Sequence, residues 1–125
     1  MRVFVAGGPT GDAIVQSFTG KLFTVDTEDG FADAIELTGG DAAFGDGLLR
    51  VETTLYVVQN MLNRIAVIEL AEDGGSGTVV GHLTDADLDV PTTVARFGSA
   101  LYAVNARFGI ESPETAAYVV VRVEI

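Results

Sequence analysis

Leu55-Tyr56-Val57-Val58-Gln59-Asn60 returns later in the chain as Leu101-Tyr102-Ala103-Val104-Asn105-Ala106, and a shorter copy stands earlier as Ile14-Val15-Gln16-Ser17. The three align without gaps on a side-chain amide, Gln16, Gln59 and Asn105, at spacings of 43 and 46 residues. The two later copies also match upstream, Leu49-Arg50 against Ala95-Arg96. After each amide comes a turn and then an alternating segment, at residues 21–26, 64–69 and 118–123. These segments are rich in Val, Ile, Phe and Tyr, as half-buried or buried strands are. Repeats of about 40 to 50 residues mark propellers and related arrays.

The middle copy shows the unit most fully. Residues 48–51, 54–59, 64–70 and 78–83 read as four consecutive strands, separated by turn-forming segments at 52–53, 60–63 and the Gly-rich 72–77. Four antiparallel strands per repeat is the pattern of a propeller blade. The expected fold class is therefore all-β, with about three β-propeller blades in one domain spanning 1–125 and repeats at about 1–40, 41–86 and 87–125. A simple β-sandwich is the competing architecture, but it gives no reason for an amide to recur at equivalent steps.

The ends are irregular. The first copy has strands at 12–18, 21–27 and 32–37, with 2–7 as its innermost strand or a remnant of another blade. The last has strands at 93–97, 100–105 and 118–125 and lacks a fourth. A ring supplies that strand from the other terminus or from a second chain, which covers an otherwise exposed edge. Three blades do not close a ring, since propellers carry about 4 to 8. Either the chain is a fragment or copies assemble, and a homodimer of six blades is the expectation, two-fold association being the commonest symmetry.

Composition narrows the function classes. With 48% hydrophobic residues the chain is no disordered tail, and no apolar run approaches the ~20 residues of a membrane helix. The apolar stretch at Val3-Phe4-Val5-Ala6 is too short for a signal h-region and runs into repeat-like sequence. Nothing in it directs export, which leaves the cytoplasm by default. There is no cysteine, hence no disulfide, thiolate nucleophile or sulfur-ligated zinc, and the single His82 further disfavours zinc. A formal charge of −11 repels phosphate backbones and anionic bilayers, so neither nucleic acid nor membrane is an expected partner. The acidity reads as a solvated surface or as adaptation to high salt; Lys21 as the lone lysine beside six arginines leans toward the latter.

Several stretches resemble a known family: Phe4-Val5-Ala6-Gly7-Gly8-Pro9-Thr10-Gly11, Gly45-Asp46-Gly47-Leu48-Leu49, Leu55-Tyr56-Val57-Val58-Gln59-Asn60, Ser76-Gly77-Thr78-Val79-Val80, Val90-Pro91-Thr92-Thr93-Val94-Ala95 and Val104-Asn105-Ala106-Arg107-Phe108. Together they look like the six-bladed propellers of the SMP-30/gluconolactonase-like superfamily, in its poorly characterised bacterial and fungal branch. Residues 4–11 look like early-blade sequence, whereas everything from about Ile14 onward looks like the C-terminal half. The resemblance implies a six-bladed ancestor shortened by in-frame loss of the intervening blades, a loss that keeps strand register.

Candidate chemistry follows from the repeat. Gln16, Gln59 and Asn105 end equivalent strands and so fall on a common ring. Asp46 and Thr92 are equivalent as well, each preceding an innermost strand. An acid and several amides around a channel mouth could hold a hard cation such as calcium through oxygen, or hydrogen-bond a small polar molecule such as a sugar or lactone. They could equally cap backbone groups, and Asp46-Gly47 is also an ordinary turn dipeptide. The resemblance implies a metal that polarises a lactone carbonyl, with Asp46 and Asn60 or Asn105 at plausible metal positions; the family's N-terminal metal-binding glutamate has no match here. Arg107 is the candidate for an anionic ligand, or for an ion pair with an acidic neighbour. Arg50 and Arg96 recur at one step and are expected to pair with carboxylates between blades.

Other motifs carry less. His82 lies in an outer strand as a surface or packing residue, with no Ser or Cys nucleophile at a recognisable spacing. Thr84-Asp85-Ala86-Asp87-Leu88-Asp89 lacks the Gly and terminal Glu of an EF-hand loop and reads as a blade-to-blade connection. Gly7-Gly8-Pro9-Thr10-Gly11 lacks the lysine of a P-loop and reads as a strand-joining turn. The leading expectation is a self-associating propeller module that binds a small polar ligand or divalent cation. A metal-dependent lactone or ester hydrolase and a protein-binding scaffold are the alternatives.

Overall fold

The structure, a computed structural model, describes residues 3–6 and 12–125, the first of these stretches by its backbone. The turn expected at residues 7–11 lies outside the described residues. Eleven strands are described: β1 Val3–Ala6, β2 Asp12–Gln16, β3 Lys21–Val25, β4 Ala32–Thr38, β5 Gly45–Val51, β6 Thr54–Gln59, β7 Arg64–Leu70, β8 Ser76–Leu83, β9 Pro91–Phe97, β10 Ala100–Asn105 and β11 Val120–Glu124. They fall into three propeller-like blades, β1–β4, β5–β8 and β9–β11, with antiparallel pairing between neighbours inside each. The all-β, blade-based class expected from the repeats is the one observed, and blade 3 has three described strands.

The three amides sit where the alignment puts them, each closing the second strand of its blade. Register between blades is equally regular. The hairpin turn of blade 2 places Glu52 at φ 54 and that of blade 3 places Gly98 at φ 61, the left-handed conformation a tight two-residue turn demands. Arg50 Nε donates to Glu52 O and Arg96 Nε to Gly98 O, both at 3.0 Å. These guanidinium nitrogens therefore tie down their own turns, which is a local reason for arginine to recur there.

One pairing was not legible in the sequence. Glu36–Thr38 of β4 pairs in parallel with Ser76–Thr78 of β8, joining blades 1 and 2 at their outer rims into one eight-stranded sheet. That sheet folds back on itself, bringing the inner strands β1 and β5 alongside each other. The apolar core is divided by blade 2. One cluster, with Val15, Leu22, Val57 and Ile68, fills the space between blades 1 and 2; another, with Val58, Ile65, Leu101 and Val123, lies between blades 2 and 3. Alternate residues of β6 serve the two clusters in turn, as period-two strands must. Full burial of each such side chain contributes about 1.5–3 kcal/mol.

Inner strands start earlier than expected. β5 begins at Gly45 and β9 at Pro91, because residues 45–47 and 91–92 remain extended through irregularities in pairing, between Gly45 and Leu48 and between Val104 and Asn105. Asp46-Gly47 is thus strand, not turn. β11 starts later than the expected 118, at Val120; before it, the Tyr118 hydroxyl donates to Pro113 O at 2.9 Å and holds the connection against a short 3-10 turn. No helix among the described residues is long and apolar enough to cross a membrane.

Candidate functional site

Two of the repeated amides perform the same task in successive blades. Gln59 Nε2 donates to Ala43 O at 2.9 Å and to Asp41 O at 3.4 Å. Asn105 Nδ2 donates to Asp87 O at 2.8 Å, and Asn105 Oδ1 accepts from Asp89 N at 3.0 Å. Asp87 and Asp89 follow Asp41 and Ala43 by one repeat, so each amide staples the loop that leads into its own blade. Both are buried, and burial raises the cost of leaving such groups unpaired. The remaining oxygen, Gln59 Oε1, accepts from Arg64 Nε at 2.7 Å. Each loop ends on a left-handed residue, Phe44 at φ 57 and Val90 at φ 46, whose carbonyls accept from Asn60 N and Ala106 N. Gln16 differs: it is half-buried, and its Oε1 accepts from Thr19 Oγ1 at 2.7 Å in the adjoining turn.

Asp46 lies near the start of β5 and is 2% exposed. Its Oδ2 accepts from Asn60 Nδ2 at 3.0 Å and from Thr92 Oγ1 at 3.1 Å. The structure brings Asp46, Asn60 and Thr92 together, joining two elements of blade 2 to the innermost strand of blade 3. Asn60 Oδ1, the atom a cation would need, accepts from Met61 N at 2.7 Å. With Asp46 Oδ2 and Asn60 Oδ1 both engaged in hydrogen bonds, the trio ties blade 2 to blade 3. Among the described residues no group of three or more His, Asp or Glu side chains is placed to share a metal ion.

Arg107 forms an ion pair. Its Nε donates to Asp89 Oδ2 at 2.8 Å and its Nη1 to Ala117 O at 3.0 Å, so it links the loop into blade 3 with the connection into β11. His82 is exposed on β8; partial desolvation and then the nearby Arg64 hold its imidazole below the ordinary 6.5, with Asp41 acting in the opposite sense. Residues 84–89 do connect blade to blade, from β8 to β9, and Asp85 Oδ1 accepts from Asp87 N at 2.9 Å within them.

No family model and no curated protein matches this sequence. One face of blade 3 presents Phe97, Val104 and Val120 to solvent. The signal was present in the repeat alignment, since Val104 occupies the step of Val15 and Val58.

Proposed function

We propose that the chain is a self-associating β-propeller module, half of a six-bladed ring that two copies close. The carrying observation is a broken symmetry of burial. Val15, Val58 and Val104 are equivalent, and their exposures are 0%, 0% and 37%; one strand further out, Leu22, Ile65 and Val120 are exposed by 0%, 0% and 61%. In blades 1 and 2 these side chains point at the next blade and are covered by it. In blade 3 they point the same way and meet no described residue that covers them.

The other end of the array supplies the complement. Val57 and Ala103, which face the preceding blade, are fully buried, whereas their equivalent Ile14 on blade 1 is half-buried. The same holds along the neighbouring strand, where Ala66 and Ile68 are buried but Phe23 and Val25 are only half-buried. Blade 3 of one copy on blade 1 of a second repeats the contact already made twice within the chain. Applied in both directions it closes a ring under two-fold symmetry. The resemblance of the repeats to six-bladed SMP-30/gluconolactonase-like propellers supports the same count. The engagement of Gln59, Asn105 and Asn60 with backbone groups supports a binding module over a lactone hydrolase.

Sedimentation or light scattering at micromolar concentration tests the reading. The expected mass is twice the 13.1 kDa of one chain. Val104→Asp and Ile14→Asp each shift the population to monomer, and mixing the two variants restores one intact interface and a weaker heterodimer. A stable wild-type monomer overturns the proposal. A dimer that Ile14→Asp leaves unchanged overturns the head-to-tail arrangement, because pairing of like faces does not use blade 1.

A further inference from the structure

The open edge of blade 3 offers a second surface, made of backbone where the face above is made of side chains. In blade 2 the third strand β7 is covered along its outer edge by β8, with Ile65 opposite Leu83 and Val67 opposite Gly81. The corresponding residues of β11 are Val120 and Arg122. Among the described residues β11 pairs with β10 alone. Asn105 N donates to Val119 O at 3.1 Å, and the register of the pair then sets the alternation. Val121 and Val123 turn their N–H and C=O groups to β10, and Val120, Arg122 and Glu124 turn theirs outward.

Beside this edge runs an open groove of about 630 Å³, between the β11 residues Val120–Arg122 and the loop carrying Asp85, Asp87 and Asp89. Blade 2 shows what belongs there. Gly39, one repeat before Asp85, packs so close to β8 that a Cβ on it would lie 2.7 Å from Val79 O. The groove in blade 3 is therefore the place a fourth strand holds in blade 2. Its charge is acidic: Arg107 is paired with Asp89 and Arg122 with Glu124, which leaves Asp85 and Asp87 without a cationic partner among the described residues.

We infer that this edge takes up an extended peptide segment of a partner protein, added antiparallel to β11 as a fourth strand, with small or apolar side chains at alternate positions and a basic residue reaching Asp85 and Asp87. Main-chain hydrogen bonds supply the affinity in such strand addition, and the alternate pockets and flanking charge supply the selectivity. The inference does not depend on the ring, which uses the face of blade 3 and not its edge.

A synthetic peptide with the β8 sequence of Ser76–Leu83 and one added lysine at each end is the probe. Added to the ¹⁵N-labelled chain, it is expected to bind saturably and to protect the amides of Val120, Arg122 and Glu124 from exchange. A glutamate-flanked peptide binds more weakly, and Asp85→Lys reverses that order. Arg122→Pro removes one outward N–H, which an edge strand tolerates, and weakens binding by about tenfold or more while leaving the mass unchanged. The inference is overturned if saturating peptide leaves β11 unprotected, if Arg122→Pro binds as well as wild type, or if Arg122→Pro abolishes self-association, since a second copy then holds the edge.

Discussion

Asp46 Oδ2 accepts a hydrogen bond from Thr92 Oγ1 at 3.1 Å, although the two residues hold the same position in successive blades. A repeat built from identical blades would set like against like at this junction. Here the carboxylate of one blade meets the hydroxyl of the next, and Asn60 completes the arrangement from behind. Asp46→Ala strands one buried donor, on Asn60, and one half-buried donor, on Thr92, and a loss of about 2–3 kcal/mol in unfolding free energy is expected by urea denaturation. Thr92→Val, which leaves Asn60 in place, costs about 1 kcal/mol. Calcium up to millimolar concentration is expected to leave the wild-type melting temperature unchanged; a clear rise abolished by Asp46→Ala would show the trio rearranging around a cation.

The amide staples predict a gradient along the chain. Asn105→Ala and Gln59→Ala each release a loop held by buried hydrogen bonds, and each is expected to cost about 2–3 kcal/mol. Hydrogen exchange should locate the damage, with the Asp89 amide exchanging faster in Asn105→Ala because its acceptor is the deleted Oδ1. Gln16→Ala, at the half-buried position, costs less than either. Equal losses at all three would show that the amides do not act through their loops.

How far the sequence revealed this follows from the same residues. The blades were legible because a side chain needed at one step of each repeat fixes the register, and strand alternation supplies the rest. Backbone capping by the amides was among the readings the repeat allowed, and Gln59 and Asn105 do cap backbone; which carbonyls they reach was not legible, because Ala43 O, Asp41 O and Asp87 O leave no trace in residue identity. The parallel contact of β4 with β8 was hidden for a related reason. It joins elements 40 residues apart, Thr38 to Thr78, through main-chain groups. The bare face of blade 3 is legible only in part: the alignment sets Val104 at the step of Val15 and Val58, and burial alone separates it from them, at 37% exposed against 0%.

His82 should make stability depend on pH in the mildly acidic range. Its folded-state pKa lies below 6.5 because partial desolvation and Arg64 disfavour the imidazolium. Between 6.5 and that lower value the unfolded chain binds the proton and the folded chain does not, so acidification favours unfolding. Stability contributed by this group is complete above 6.5 and is lost as pH falls through the window. His82→Gln should flatten that slope, read as the difference in melting temperature between the two proteins from about pH 7.5 to about 5.5. A mutant as pH-sensitive as wild type would assign the slope to carboxylates instead.

Two glycines in strands make opposite predictions. Gly47, on the innermost strand of blade 2, faces the backbone of blade 3 so closely that a Cβ would lie 2.6 Å from Thr92 O and 2.7 Å from Thr93 Cα. Neither atom belongs to a flexible side chain, so relief requires the inner strands to separate and the Asp46–Thr92 bond to lengthen. Gly47→Ala is expected to cost about 3 kcal/mol. Gly81, on β8, has nothing within 4 Å of the added Cβ and no left-handed φ. Gly81→Ala should therefore be neutral or stabilising by up to about 1 kcal/mol, through the entropy of the unfolded chain. Both changes add the same atom to the same residue type in one blade, so chemical denaturation of the pair isolates the inter-blade contact. Near-equal effects would mean that blades 2 and 3 are not held at the separation described.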